Sequence, residues 1–282
     1  MSSKRKKIIV TGGSRGIGLA VAKAFFAEGY SVLIVSRNKR ELIRAQKEMK
    51  REGQCSVVAA DVSRKSDRSK IRAHIMRKWG GSADVLVNAA GIYGPIGRLE
   101  ENNLDMWEET IRVNVFGTVE MCALVLPFMK KRKHGRIINF SGGGEGPLPR
   151  FTAYSASKGA ILRFTESLAE EVKDFGITVN AITPGGVNTK FLEEVIAAGS
   201  EKAGEDFYKR SLKQKSDGGV SPEVAARLIL YLARSGAGFL SGKIISANRD
   251  DWKNFKKHAR ELVSSDVYTF RRIKPKDRGY TW

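Results

Sequence analysis

Short apolar runs alternate with amphipathic segments along most of this 282-residue chain. Near-continuous apolar runs are typical of strands that are buried on both faces of a parallel sheet, and the segments between them have the apolar spacing of helices. The pattern therefore predicts an α/β fold with a doubly wound, mostly parallel seven-stranded sheet and helices on both faces. The predicted strands are Lys7–Val10, Ser31–Ser36, Ser56–Ala60, Val85–Asn88, Arg136–Phe140, Thr178–Ile182 and Lys243–Ser246. The predicted helices are Ile17–Glu28, Lys39–Glu52, Lys65–Trp79, Leu104–Lys131, Thr152–Phe175 and Pro222–Ala233.

Two segments depart from this alternation. Residues 187–220 are polar and contain several glycines, and a loop of that length in a compact domain is usually functional. We expect it to act as a substrate-side lid within one domain of residues 1–247. Residues 248–282 form a C-terminal extension that is rich in aromatic residues, which disordered tails lack. We expect this extension to pack on the same domain or on a neighbouring subunit; the alternative is a disordered basic tail.

The charge of the chain limits its partners. Fifty Lys and Arg residues against 30 Asp and Glu residues give a net charge of +20, which attracts anions such as phosphorylated cofactors, acidic carrier proteins, nucleic acid or anionic lipid. The basic residues are spread over many predicted helices and no nucleic-acid recognition element is evident, so a specific nucleic-acid function is not expected.

Cysteine and histidine usage excludes other classes. The two cysteines, Cys55 and Cys122, are too few for a disulfide-rich secreted scaffold, and the three histidines are too far apart for a helical metal motif. We therefore predict no metal site. No apolar run approaches the ~20 residues of a membrane-spanning helix, so no membrane span and a cytoplasmic location are expected.

A glycine-rich turn follows the first predicted strand directly and opens the first predicted helix. Glycines permit a tight turn and close approach of the backbone to a pyrophosphate, while the helix N-terminus supplies N–H donors. This context predicts a Rossmann-like dinucleotide site. Its candidate cofactor-binding residues are Gly12, Ser14, Arg15, Gly16, Ile17 and Gly18.

The spacing T-G-x-x-x-G-x-G in this turn and Y-x-x-x-K at Tyr154–Lys158 resemble the single-domain branch of the short-chain dehydrogenase/reductase family, over roughly residues 7–246. The resemblance implies adenine contacts at Asp61 and Val62. It implies further cofactor contacts in the N-N-A-G-like run, where Ala89 replaces one Asn, and in the turn after the sixth strand. These residues are Asn88, Ala89, Gly91, Pro184, Gly185, Val187 and Thr189.

The end of the second predicted strand indicates which nicotinamide cofactor binds. An NAD-specific member would carry Asp there for the ribose 2′-hydroxyl, but this chain has Ser36 followed by Arg37. Arg37 can hold a 2′-phosphate with paired hydrogen bonds, and Arg15 in the glycine turn is a second basic residue beside it. We therefore predict NADP(H) as the cofactor.

Tyr154 and Lys158 lie four residues apart on a predicted helix and hence on one face. A nearby ammonium favours the phenolate, so a lowered Tyr154 pKa is expected, with Tyr154 as general acid/base. In the family, the counterpart of Lys158 also holds the nicotinamide ribose and that of Asn114 anchors a water molecule.

Ser141 is the candidate for the family's catalytic serine because it lies 13 residues before Tyr154. Counted from Asn139, however, the serine position falls on Gly142, so the alternative is a site without that serine. The motifs together predict an NADPH-dependent oxidoreductase that interconverts a carbonyl and an alcohol.

The substrate and the assembly are less defined. A 3-oxoacyl-acyl-carrier-protein-type reductase and a keto-sugar reductase are alternatives within the class, and the basic surface suits an anionic or carrier-bound substrate. Outside the class, the alternatives are a basic nucleic-acid-binding protein and a silent NADPH sensor. Relatives assemble through the long helices, so a homodimer or homotetramer is expected.

Overall fold

The computed structural model describes residues 5–49, 54–143 and 146–282. Its centre is a seven-stranded sheet with the strand order β3-β2-β1-β4-β5-β6-β7, and every adjacent pair is parallel. This is the doubly wound, Rossmann-like fold that the alternating pattern predicts. The strands are β1 (Lys7–Thr11), β2 (Ser31–Ser36), β3 (Cys55–Ala59), β4 (Val85–Asn88), β5 (Gly135–Phe140), β6 (Ile177–Thr183) and β7 (Ile244–Ser246).

The two faces of the sheet bury separate apolar layers. Alternate residues of β1 show this directly, since Ile8 and Val10 belong to one buried layer and Ile9 belongs to the other. The helices are α1 (Gly16–Ala27), α2 (Lys39–Lys47), α3 (Lys65–Trp79), α4 (Leu104–Ile111), α5 (Gly117–Arg132), α6 (Thr152–Val172), α7 (Lys190–Ala203), α8 (Glu205–Ser216), α9 (Pro222–Ala233) and α10 (Ala259–Ser264).

Three predicted elements differ from the structure. The expected helix Leu104–Lys131 is two helices, because a π-helical turn at Arg112–Phe116 separates α4 from α5. The expected loop at 187–220 contains two helices: α7 buries Leu192 and Val195 on one face, and α8 packs Phe207 against Phe151. The expected helix Lys39–Glu52 ends as α2 at Lys47, and its last three residues lie outside the described part of the chain.

The helical stretch Leu104–Arg132 is long and apolar enough to cross a membrane, which the sequence did not predict. Its residues Met121, Val125 and Met129 are fully buried against the sheet. The α5 part of the stretch therefore packs as a core helix, whereas Leu104, Met106 and Phe116 in its first part are exposed. Among the described residues, no group of three His, Cys, Asp or Glu side chains could hold a metal ion.

The segment after β7 packs beside the sheet as far as residue 270. Trp252, Phe255 and Leu262 are buried in the same apolar layer as α1 and α9. The backbone N–H of Ile244 donates to the carbonyl of Tyr268 at 2.8 Å. Farther along, Ile273, Tyr280 and Trp282 are exposed.

Candidate active site

In the glycine turn after β1, the backbone at Gly12 and Gly18 lies too close to its neighbours for a larger residue at either position. A Cβ atom at Gly12 would lie 2.8 Å from the Ala89 carbonyl oxygen, and one at Gly18 would lie 2.4 Å from the Gly12 oxygen. Gly12 and Gly16 also have positive φ angles of 66° and 53°. These contacts hold the turn against the loop after β4 and hold the start of α1 against the turn. No side chain caps this end of α1, so its first N–H groups remain for an anion.

Basic and acidic side chains meet at the ends of β2 and β3. Arg37 lies 4.0 Å from the Asp61 carboxylate, and Arg15 lies 3.6 Å from the carboxylate of Glu41. The Ser14 hydroxyl bonds to Ser36 at 3.0 Å and to Glu41 at 2.9 Å. Through the Ser14–Ser36 bond, the glycine turn that contains Arg15 meets the end of β2, which Arg37 follows.

Glu41 was not predicted to belong to this group. It lies in the first turn of α2, where the cap residue Asn38 accepts bonds from the Arg40 and Glu41 N–H groups. An acidic residue in the first turn of a helix ordinarily reflects the helix dipole, so its position in the sequence carried no signal of a site role.

The residues predicted at Asn88 and Val62 face the interior. The Asn88 amide donates to Asn139 at 2.9 Å, and Asn139 donates to Thr165 at 2.9 Å, so this chain of bonds ties β4 to β5 and α6. Val62 packs on α5, where a Cβ atom at Gly117 would lie 2.7 Å from it. The Asn88 amide nitrogen is therefore used within the fold, while its side-chain oxygen is buried without a hydrogen-bond partner among the described residues.

Asn114 occupies the π-helical turn between α4 and α5. Its amide donates to the carbonyl of Ile92 and to the Ser157 hydroxyl, and its oxygen accepts from the Ile92 N–H, each at 2.9 Å. π-Turns inside helices are often found at functional sites. Here the turn lets one side chain join the loop after β4, which contains Gly91, to α6.

Tyr154 and Lys158 lie on one face of α6, as predicted. The Lys158 ammonium donates to the carbonyl of Phe140 at 2.8 Å and lies 5.5 Å from the centre of the Tyr154 ring. Burial lowers the pKa of Lys158 to about 8. Burial, with a smaller contribution from the phenol of Tyr93, raises the pKa of Tyr154. The expected lowering of the Tyr154 pKa is therefore not found in the protein chain alone.

The end of β5 places Ser141 and Gly142 differently. The Ser141 hydroxyl is buried and has no hydrogen-bond partner among the described residues, while the Ser141 N–H donates to Ile182 at 2.9 Å. A Cβ atom at Gly142 would lie 3.7 Å from the Tyr154 hydroxyl, and the φ angle of Gly142 is 104°. Both positions considered from the sequence thus lie at the site, one with an unpaired hydroxyl and one beside Tyr154.

The turn after β6 closes the other side of the glycine turn. A Cβ atom at Gly16 would lie 3.4 Å from the Thr189 side chain, and Thr189 immediately precedes α7. Gly185 has a φ angle of 84°, and a Cβ atom there would lie 2.7 Å from Asn248. Of the cofactor residues predicted between 184 and 189, Thr189 therefore lies against the start of α1, Gly185 lies against Asn248, and Val187 is largely buried.

Aromatic side chains cover Tyr154. We call the rings of Tyr93, Phe151, Tyr154, Phe191 and Phe207 the aromatic cluster. Tyr93 lies in the loop after β4, Phe151 and Tyr154 lie at the start of α6, and Phe191 and Phe207 lie on α7 and α8 of the predicted lid. Tyr93 lies 4.6 Å from Tyr154 and 4.5 Å from Phe191, measured between ring centres. The sequence predicted a substrate-side lid at 187–220, which contains Phe191 and Phe207, but the three phenylalanines were not recognised as a group.

Comparison with known proteins agrees with this geometry. The family model described as short chain dehydrogenase matches residues 6–199. The short-chain reductase protein NovJ of Streptomyces niveus is 32% identical over 248 residues, covering 86% of this chain and 92% of that protein. The acetoacetyl-CoA reductase of Shinella zoogloeoides is 36% identical over 247 residues, covering 85% and 95%.

A solved structure is similar as well. A single-residue variant of the actinorhodin polyketide ketoreductase, crystallised with NADPH, superposes with a TM-score of 0.78 at 28% identity, covering 86% of this chain and 95% of that one. A parallel sheet with a tight glycine turn after its first strand, together with a buried Tyr–Lys pair on α6, indicates an oxidoreductase on a Rossmann-like fold. The chain belongs to the short-chain dehydrogenase family.

Proposed function

We propose that this protein is an NADPH-dependent oxidoreductase that interconverts a carbonyl and an alcohol, with Tyr154 as the general acid/base. The observation that carries the proposal is the position of Tyr154, a buried phenol on the same face of α6 as the Lys158 ammonium. The relatives named as reductases, and the ketoreductase crystallised with NADPH, support the same chemistry.

The residues present fit a nicotinamide dinucleotide. The tight glycine turn and the uncapped start of α1 would hold the pyrophosphate, and the loops after β3, β4 and β6 would hold the remainder. Arg15 and Arg37 supply two guanidinium groups where a 2′-phosphate would lie, and Ser36 leaves that position free of the carboxylate that an NAD-specific site carries. This charge arrangement supports NADP(H) rather than NAD(H).

When bound, the reduced nicotinamide supplies the hydride. Tyr154 donates its phenolic proton to the substrate oxygen, and its raised pKa keeps that proton in place at neutral pH. Lys158 keeps a positive charge near the phenol and would hold the ribose hydroxyls. Asn114 fixes the position of α6 against the loop after β4. The unpaired hydroxyl of Ser141 supports a role as second donor to the substrate oxygen.

The test is the consumption of NADPH, followed by its absorbance, with a panel of ketones. Tyr154→Phe should lower turnover by at least ~10²-fold, the effect typical of a lost general acid, while NADPH affinity stays unchanged. Tyr231→Phe is the matched control, because it removes an equivalent hydroxyl from α9, away from the site. Full turnover in Tyr154→Phe would mean that another group donates the proton.

We also propose that the protein forms a homodimer or homotetramer. The exposed apolar side chains of Leu104, Met106 and Phe116, in and beside α4, support association through this part of the chain. The net charge of +20 is the argument for the alternative, a substrate that is anionic or carried on an acidic protein. The cytoplasmic location stays a prediction from the sequence.

A further inference from the structure

The aromatic cluster forms a continuous wall from the catalytic phenol to the lid. The ring of Tyr93 lies at its centre, with ring-centre distances of 4.6 Å to Tyr154, 4.5 Å to Phe191 and 5.3 Å to Phe151. Phe207 of α8 continues the wall at 4.8 Å from Phe151. Any substrate oxygen that reaches Tyr154 must therefore place the adjoining part of its molecule among these rings.

The surroundings of the cluster are mainly apolar. The side chains of Leu148, Ile96, Val195 and Ala203 pack around the rings. Cations contact the cluster at its two ends, with Lys158 5.5 Å from Tyr154 and Arg210 5.7 Å from Phe207. Near its centre, burial and the charge of Glu194 raise the pKa of Tyr93 to about 12, so that phenol is neutral. Among the described residues, the centre of the wall offers flat ring faces and no positively charged side chain for an anionic group.

The ring of Phe191 lies beside Tyr93 and Tyr154, in a position that the aromatic ring of a ligand could take. Its ring is tilted by 30° to that of Tyr93 and lies 6.0 Å from Tyr154. Phe191 is only half-buried and is the second residue of α7. Phe191 lies in the segment that runs from Gly185, with a φ angle of 84°, to the kink at Gly199 inside α7, with a φ angle of 78°. The ring is thus carried on a segment with a glycine at each end.

We propose that the site takes an uncharged ketone that carries an aromatic ring, or the corresponding alcohol, and that this ring replaces that of Phe191 against Tyr93. This inference rests on the proposed function and adds the class of substrate to it. Two aromatic rings attract each other through their faces and edges, in addition to the apolar area that they bury. A saturated ring of the same size lacks this additional attraction. Tyr93 is then the residue that selects the aryl group, and Phe191 is the side chain that the aryl group displaces.

The experiment compares phenylacetone with cyclohexylacetone at saturating NADPH. The two ketones have equal carbon numbers, and in both a CH₂ group separates the ring from the carbonyl, so they differ chiefly in the flatness and aromaticity of the ring. We expect kcat/KM to be about tenfold higher for phenylacetone, with the difference in KM. Tyr93→Phe should keep this preference, and Tyr93→Leu should reduce the ratio towards one. A ratio near one in the wild-type protein, or an unchanged ratio in Tyr93→Leu, would overturn the proposal.

Phe191→Ala separates displacement from simple lining of the pocket. If the substrate ring replaces that of Phe191, removing the side chain relieves the competition and lowers KM for phenylacetone; a lining residue would raise KM when removed. Calorimetric binding of 1-phenylpropan-2-ol to the NADPH-loaded protein should show the same order of variants without turnover, because an alcohol and a reduced cofactor cannot exchange a hydride. A higher KM and weaker binding in Phe191→Ala would contradict the displacement.

Acetoacetyl-CoA serves as the anionic comparison substrate. Reduction of this thioester without reduction of phenylacetone would overturn the aryl inference and leave the proposed function standing. Failure to oxidise NADPH with any carbonyl, together with failure to bind NADPH, would overturn both.

Discussion

The Ser14 hydroxyl, in the glycine turn, donates a hydrogen bond of 2.9 Å to the carboxylate of Glu41 at the start of α2. The same carboxylate lies 3.6 Å from Arg15, so a negative charge lies beside the group proposed to receive a 2′-phosphate. The Glu41 carboxylate would repel a 2′-phosphate bound to Arg15 because both are negative. Solvent around the half-exposed Arg15 weakens this repulsion.

We therefore expect Glu41→Gln to strengthen NADPH binding severalfold and to change NADH binding little, because the amide keeps the bond to Ser14 without the charge. Fluorescence titration of both cofactors measures this. Glu48→Gln is the matched control, since Glu48 follows the same helix and pairs with Lys23 instead. Weaker NADPH binding in Glu41→Gln would show that the carboxylate holds Arg15 in its working position.

Arg37→Asp should remove the preference for NADPH. The Arg37 side chain is 61% exposed, so replacing it costs the fold little. An aspartate at this position would repel a 2′-phosphate and could accept a bond from a ribose hydroxyl. The wild-type protein should bind NADPH at least about tenfold tighter than NADH, and the variant should lose or reverse this difference. Arg227→Asp makes the same charge reversal on α9 and should keep the preference.

Ser141→Ala tests the unpaired hydroxyl at the end of β5. Leaving a buried hydroxyl without a partner costs stability, so its removal should not destabilise the protein. If the hydroxyl pairs with the substrate oxygen, kcat falls by about two to three orders of magnitude while the melting temperature stays unchanged. Unchanged kcat would mean that Tyr154 holds the substrate oxygen without a serine, the alternative suggested by Gly142.

The rate of carbonyl reduction should depend on the protonation of Lys158. Its pKa of about 8 means that the ammonium is present at lower pH and is lost as the pH rises through that value. Tyr154 keeps its proton over this range because its pKa is raised. We expect kcat at saturating cofactor and ketone to fall above about pH 8. If kcat stays constant well above this pH, catalysis does not depend on the positive charge of Lys158.

Deleting residues 249–282 should lower the melting temperature strongly. This deletion removes Trp252, Phe255 and Leu262 from the core, and each such side chain contributes roughly 1.5–3 kcal/mol. Deleting residues 272–282 instead removes mostly exposed side chains and should leave thermal unfolding nearly unchanged. Scanning calorimetry of both variants measures the difference. Equal melting temperatures would mean that the segment up to residue 270 adds no stability.

The sequence predicted the strands well because each one is a short apolar run that both faces of the sheet bury. It did not predict the π-helical turn at Asn114, since that turn depends on bonds to Ile92 and Ser157, which are distant in the chain. The same limit applies to Glu41 and Phe191. Each belongs to an ordinary helical pattern, and only packing of α2 and α7 against other elements brings it to the candidate site.

The hydrogen bond between Ile244 and Tyr268 has a consequence for association between molecules. An open sheet ends in a strand whose backbone groups can pair with a strand of another chain, and such edges promote aggregation. Here a backbone carbonyl of the same chain meets the outermost strand, and the Lys243 ammonium donates to the Ser265 and Val267 carbonyls at 2.9 Å each. The chain thereby shields the β7 side of its sheet against uncontrolled growth into larger β-structures.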